Sequence, residues 1–406
     1  MLNRLLAAAL ACFASFSAQA EDVSPADWDE VLKQARGQTV YFNAWGGAEN
    51  INAYIEWAAG ELQEQFGVTL KHVKLDDTAN AVATVVAEKA AGRDQGGSVD
   101  LIWINGENFA AMKENGLLLS PGWAENLPNW RYVDVENKPT IVTDFTVPVE
   151  GLASPWGMAQ LVFFYDSART DAAELPQSSD ELLAWAEANP GRFSYPQPPD
   201  FTGSSFLKQV LLEKVADRSV LQKPADAGNF DAVTEPLFRY LDALHEVAWR
   251  SGRAFPQNYP AMKQLLADGE LDIIFAFNPA EASSAIANGE LPDTVRSFTF
   301  PGGTLANTHF LAIPYDANAK AGALVTANFL LSPEAQAKKQ DPAAWGDPTV
   351  LSMEKLDPEW RARFVAIDLG VATLQPDELG PALPEPHPSW MERIEDEWKE
   401  RYTAEN

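Results

Sequence analysis

Along the first hundred residues the hydrophobic positions switch repeatedly between a strand-like and a helix-like period. Thr39-Val40-Tyr41-Phe42-Asn43 reads as a buried strand. Between Glu49 and Phe66, Ile51, Tyr54, Ile55, Ala58 and Leu62 recur at helical spacing, and Gly67 closes the segment. Val68 to Leu75 is rich in β-forming residues. Asp76 or Asp77 is placed to cap a helix carrying Ala79, Val82, Val86 and Ala90, with Gly92 at its end. Val99-Asp100-Leu101-Ile102-Trp103-Ile104 is the next strand. Ahead of all these, Ser24 as N-cap and Pro25 as first helical residue predict a short helix. Strands alternating with helices predict an α/β protein whose mostly parallel sheet is covered on both faces.

The pattern breaks between Phe145 and Asp166. Pro148, Gly151, Pro155 and Gly157 precede an apolar run, Leu161-Val162-Phe163-Phe164-Tyr165, which suits a strand leaving one lobe for another. A second α/β unit follows to about Phe300. It holds a helix near Ser179 to Ala188, a strand at Arg192 to Tyr195 and a Pro-rich loop over Pro196, Pro198 and Pro199. A further helix begins near Gly203, and Leu271 to Phe277 forms another buried strand. Pro301-Gly302-Gly303 and then Phe310-Leu311-Ala312-Ile313-Pro314 reads as a return crossing. In the last helix, capped by Ser389, Trp390, Ile394, Trp398 and Tyr402 share one face, which predicts a docking stripe.

Composition fixes the compartment. Arg4, the apolar run Leu5 to Phe16 and the small-residue pair around Gln19 form a secretory signal peptide, with the cut expected after Ala20. Ala9-Leu10-Ala11-Cys12 is a degraded lipobox, but a cut there would leave a very short apolar segment and an Ala where Leu is usual. Cys12 is the only cysteine, so the exported chain is expected to carry no disulfide, thiol nucleophile or cysteine zinc site. No later run reaches the roughly 20 apolar residues of a membrane span. Fifty-eight acidic against thirty basic residues give a net charge of −28, which makes nucleic acid and anionic lipid poor partners. The same charge fits either attraction for cationic ligands or a solubilising acidic surface.

Candidate chemistry is sparse. The chain has no His-Glu-x-x-His, Gly-x-Ser-x-Gly or phosphate-binding loop. His72, His245, His309 and His387 are scattered, so neither a metal site nor a cofactor is expected. The informative segments are strand ends. Asn43-Ala44-Trp45-Gly46-Gly47 follows the first strand, Asn105-Gly106-Glu107-Asn108 the third, and Asn278-Pro279 comes after Phe277. Ligands of open α/β sheets bind outside such carboxyl ends, where Asn both donates and accepts. Trp45 can stack on a ligand or pack; Trp103 reads as core. Thr202-Gly203-Ser204-Ser205 opens a helix whose N–H groups suit an anion or a hydroxyl, or simply mark ordinary capping. Trp156-Gly157 at the crossing is a further contact or a hinge turn with the indole packed beneath it.

The order of these segments resembles the type II periplasmic solute-binding proteins of ABC importers. The stretches that carry it are Pro155-Trp156-Gly157 leading to Phe164-Tyr165-Asp166, then Asp268 to Asp272, Phe310 to Pro314, and Ala327 to Gln336. Tyr41 to Gly47, Trp103 to Phe109, Ser154 to Gln160 and Glu385 to Trp390 resemble the YnjB-like group within that superfamily. The resemblance implies a two-lobed fold with two interlobe crossings, each lobe a mostly parallel sheet flanked by helices. It implies a periplasmic, non-enzymatic monomer that captures a small molecule, of the kind of thiamine or a related cationic aromatic compound, for a permease and an ATPase. The adjacent tyrosine pair of many ferric-ion binders is absent. The expected division is a leader over 1–20, lobe one over 21–150 with 305–340, lobe two over 151–304, and C-terminal helices over 341–406 bracing a lobe. Asn43, Trp45, Gly46, Asn105 and Glu107 are expected to act from lobe one, with Asp77 available as a second carboxylate. Thr202, Ser204, Ser205 and Asn278 are expected from lobe two, with Trp156 and Asn307 near the crossings. A carbohydrate-binding subunit would also use tryptophan stacking, and a secreted glycoside hydrolase or lyase would need two carboxylates facing each other in the cleft.

Overall fold

The computed structural model describes residues 25–225, 229–375 and 378–403. The leader, the cut after Ala20, Cys12 and Ser24 lie outside the described residues. The amphipathic segments form as their patterns require. Helix α1 (Trp28–Ala35) is capped by Asp27, whose Oδ1 accepts from Glu30 N at 3.3 Å, so the predicted start at Pro25 is corrected by three residues. Strand β1 (Thr39–Trp45), helix α2 (Glu49–Phe66), strand β2 (Thr69–Leu75), helix α3 (Ala79–Ala90), strand β3 (Leu101–Ile104) and helix α4 (Gly106–Glu114) follow in the expected alternation. In α2 the predicted stripe of Ile51, Tyr54, Ile55, Ala58 and Leu62 is the buried face.

A hairpin, β4 (Thr143–Asp144) with β5 (Val147–Pro148), precedes the two strands that leave this body, β6 (Ala153–Gln160) and β7 (Val162–Asp166). Helices α5 (Ser179–Ala188) and α6 (Phe201–Lys214) come next, then β8 (Ile273–Ala276), β9 (Val295–Phe298), β10 (Thr304–Ala312) and β11 (Ala382–Pro384). The larger sheet runs β11-β10-β3-β1-β2, with β6 also on β10. Its β1–β2, β1–β3 and β10–β11 pairs are parallel, while β10 runs antiparallel to both β3 and β6.

The second sheet, β8-β7-β9, is antiparallel, which corrects the expectation of a mostly parallel sheet in each lobe. Its central strand is the crossing strand itself, so it enters from the opposite end to the strands of its own lobe. The predicted strand at 192–195 contributes a single parallel bridge, Phe193 to Ile273.

Three buried clusters result. The third (Val82, Val85, Ile102, Ile104, Phe109, Phe310) lies on the other face of the larger sheet from the first core, and the crossings can be located residue by residue between the other two. Trp156 packs in the first core and Ala159 in the second, three residues further along β6. Along β10, Leu305 belongs to the second core and Leu311 to the first. The β6–β10 pair therefore carries the chain both ways, and its register shifts between His309 and Phe310. The segment after residue 341 divides: Trp345 to Phe364 pack in the first core, whereas Trp390, Ile394 and Trp398 of the C-terminal helix (Pro388–Tyr402) pack in the second. Burying each of those side chains contributes about 2–3 kcal/mol. The cap of this helix is His387, whose Nδ1 accepts from Ser389 N at 3.3 Å; the predicted cap Ser389 instead accepts from Ala225 N.

Helix α6 is capped by Asp200, whose Oδ1 takes Thr202 N at 3.0 Å and Gly203 N at 3.3 Å. Asp200→Ala is expected to cost about 1 kcal/mol, with Asp200→Asn nearer to wild type, measured as the midpoint of chemical unfolding. Equal midpoints for all three proteins would show that the cap contributes nothing.

Candidate ligand-binding site

The strand ends do carry functional-looking side chains, but burial separates them into two groups. In the first group, four predicted residues either bond a carboxylate or supply one. Asn105 directly follows β3; its Nδ2 donates to Thr308 O at 2.5 Å and to Asp144 Oδ1 at 3.5 Å. Gly106 begins α4 at φ +59°, and a Cβ there would stand 2.7 Å from the Phe145 ring, so the hairpin tip can press on α4 only because this position is glycine. Gly106 N donates to Asp144 Oδ2 at 2.7 Å. Glu107 lies in the first turn of α4, within electrostatic reach of Lys208, Glu395 and Asp77. From the other core, Ser204 Oγ donates to Glu395 Oε1 at 2.5 Å. Asn307 Nδ2 on β10 donates to Glu385 Oε1 at 2.9 Å, and Glu385 Oε2 pairs with Lys208 Nζ at 2.6 Å.

Charge in this cluster is unbalanced. Glu107, Glu385 and Glu395 share the ammonium of Lys208, Glu395 also feels that of Lys399, and Asp144 stands beside Glu107 and Glu385. Burial pushes the Glu107 carboxyl up to about 7, with Lys208 pulling the other way. Burial likewise raises Asp144, against hydrogen bonds from Gly106 and Asn105. Burial raises Glu385 as well, against the pull of Lys208, and raises Glu395 against the Ser204 hydrogen bond and the ammoniums of Lys399 and Lys208. Carboxylates withdrawn from water hold protons unless a cation arrives, so the cluster retains capacity for further positive charge.

The second group serves other ends. Trp156 is fully buried, edge-on to Phe42, Trp103 and Trp345 at 5.8, 5.1 and 5.3 Å. It packs under the hinge. Asn43 is buried within β1 and turns its Nδ2 to Tyr41 O at 3.3 Å. Trp45 is the last residue of β1 rather than a loop residue; its half-buried ring lies over Gly47, and Gly46 N pairs with Leu75 O. Ser205 donates to Phe201 O at 2.7 Å, as an ordinary helical serine does. The N–H groups of Thr202 and Gly203 belong to Asp200, so the helix start is not open to an anion. Asn278 closes on its own turn through Ala280 N and reaches Trp345 O at 3.5 Å.

Sequence reading missed Lys208, Glu385, Glu395 and Asp144. One signal was present: Lys208 interrupts the apolar run Phe206 to Leu212, and an interior lysine demands a partner. Among the described residues no group of three His, Cys, Asp or Glu residues could hold a metal ion, and no helix is long and apolar enough to cross a membrane.

Residues 57–363 match the family model described as bacterial extracellular solute-binding protein. The chain is 48% identical over 377 residues to protein YnjB of Escherichia coli strain K12, covering 93% of this chain and 94% of that one. The fold is similar to that of the periplasmic binding protein AfuA from Actinobacillus pleuropneumoniae, solved with fructose-6-phosphate. There the TM-score is 0.61 at 14% identity, covering 90% of this chain and 99% of that one. It is also similar to the spermidine/putrescine substrate-binding protein PotD from Streptococcus pneumoniae, with a TM-score of 0.56 at 16% identity over 89% of this chain and 99% of that one.

Proposed function

We propose, from the premise that this chain belongs to the bacterial extracellular solute-binding proteins, that it captures an organic cation between its two lobes. Solute-binding proteins of ABC importers bind small molecules and work with a permease and an ATPase. The finer reading is that a thiamine-like cationic aromatic compound is this protein's cargo, carried without turnover by a periplasmic monomer. The observation that supports it is that the buried Glu385 and the half-buried Glu107 and Glu395 share the Lys208 ammonium, with the buried Asp144 beside them and no cation of its own among the described residues. An anionic sugar phosphate would meet repulsion there, and a neutral sugar would leave the charge uncompensated. Glu107 and Glu395 would face the cation, Ser204 would hold Glu395 and Asn105 the neighbouring Asp144, and the exposed Phe201 would offer a ring face. Residues 21–150 with 305–340 would move as one lobe and 151–304 as the other, closing about the β6–β10 crossings.

The test is a melting-temperature screen of the refolded, ligand-stripped mature chain against thiamine and its phosphates, polyamines, amino acids, sugars and iron(III). At about 100 times Kd a ligand adds about 2.7 kcal/mol, which for a chain of this length is about 3 °C. Thiamine is expected to give that shift, and Glu107→Gln to reduce it. A shift with sugars alone would sink the cation reading.

A further inference from the structure

We propose that Lys208 is a tethered stand-in for the cargo: its ammonium occupies the subsite that the ligand's own N–H-bearing cationic group takes when the cleft is loaded. The inference rests on the cationic-ligand reading above. Lys208 projects from the middle of α6, a helix buried from Thr202 to Leu212, and only 3% of its side chain is exposed. Its Nζ lies 2.6 Å from Glu385 Oε2, 4.4 Å from the centre of the Phe145 ring and 5.3 Å from that of Phe201. A carboxylate with two aromatic faces is the composition by which proteins recognise organic ammonium groups. The three parts come from separate segments: the hairpin tip, the start of α6 and the turn after β11. A lysine needed only to hold two elements together requires one counter-charge, yet Glu107 and Glu395 also act on this ammonium.

Asn307 shows what the subsite still lacks. It is 4% exposed, and its Nδ2 is committed to Glu385 Oε1, because a carboxylate oxygen must receive an N–H. Its Oδ1 is then a buried acceptor without a donor. A free buried acceptor beside a carboxylate calls for a cation that carries N–H groups, so the class is a protonated primary amine, an amidinium or an aminopyrimidinium. A quaternary ammonium supplies charge and no donor. Lysine is suited to yielding the place, since its charge rides on a flexible four-carbon stem. While it stays it competes with the cargo, and its removal should strengthen cation binding.

The experiment compares wild type, Lys208→Ala and Lys208→Ala/Glu385→Gln by melting temperature, with n-propylammonium as the probe and tetramethylammonium as the control. The expected result is a saturable rise of about 3 °C for Lys208→Ala with millimolar propylammonium. Wild type and the double variant should not respond, and tetramethylammonium should do less. A folded Lys208→Ala protein that ignores propylammonium, or a wild type that responds equally, overturns the assignment. If Lys208→Ala does not refold alone, propylammonium in the refolding buffer should restore the folded yield, and failure to do so counts against it equally. The screen of wild type separates the two ideas. A cationic ligand without rescue removes Lys208 alone. Rescue with no cationic ligand in the screen overturns the cargo reading, and with it the stand-in role.

Discussion

Asp347→Ala is expected to lower the melting temperature by about 5 °C, although this residue touches no part of the carboxylate cluster. Lys339 is fully buried, and its ammonium lies 2.6 Å from Asp347 Oδ2. It also donates to the Trp156 carbonyl, and the Trp156 and Trp345 rings stand 5.1 and 5.3 Å away. Burial lowers the Lys339 pKa and Asp347 pulls it back up. Without Asp347 the lysine must keep a charge with no partner or give up its proton, and breaking such a pair typically costs about 3–5 kcal/mol. A chain of this length loses about 1 °C or slightly more per kcal/mol, which sets the expected shift. Lys339→Met with Asp347→Leu should cost less than Asp347→Ala alone, since no buried charge remains. Calorimetry decides: a shift below 1 °C in Asp347→Ala would show that water already reaches the ammonium.

The same pair explains a glycine. A Cβ on Gly157 would lie 1.8 Å from Asp347 Oδ2 and 2.4 Å from Lys339 Nζ, so no side chain fits at that point of β6. His309, opposite Gly157 on β10, holds the other Asp347 oxygen at 3.0 Å. The ion pair thus clamps both crossing strands at the place where they pass between cores. Trp156-Gly157 was readable as a hinge motif, but the partners that make it one lie about 180 residues away, where local pattern carries no information.

That contrast runs through the chain. Helices α2 and α5 were legible to their ends because each combines a clean 3.6-residue stripe with a turn or capping residue. The last helix was legible along its length, while its cap was misassigned because Ser389 is a better generic cap than His387. The antiparallel second sheet was not legible, since strand direction follows from where the crossing strand enters. Asn105, Glu107 and Ser204 were named from strand ends and a helix start and Asn307 from its place near a crossing, and the structure puts all four beside carboxylates. Glu385 and Glu395 were hidden among fifty-eight acidic residues, and only tertiary packing distinguishes a buried carboxylate from a solvated one.

Thiamine affinity is expected to fall by about 30-fold between pH 8 and pH 5.5, and the sign follows from Glu107. In the free protein its carboxyl titrates at about 7, because burial opposes ionisation more than Lys208 favours it. A cation bound beside it stabilises the ionised form and so lowers its pKa in the complex. Binding therefore releases a proton below pH 7, and apparent affinity drops about tenfold for each unit below that point. The thiazolium carries a fixed charge throughout this window, and protonation of the aminopyrimidine toward its acid end would strengthen binding to carboxylates, so the ligand does not supply the downward slope. Asp77, Glu395 and Lys208 face the same group, and Glu395, itself raised by burial, steepens the acid side. Glu107→Gln should flatten the profile and bind about 5- to 30-fold more weakly than wild type at pH 8, the equivalent of one charged contact. Titration calorimetry in two buffers of different ionisation enthalpy reads the released proton directly. A wild-type profile that is level from pH 8 to 5.5 would place the cation away from Glu107, and the cleft's acidity would then serve the resting protein rather than its cargo.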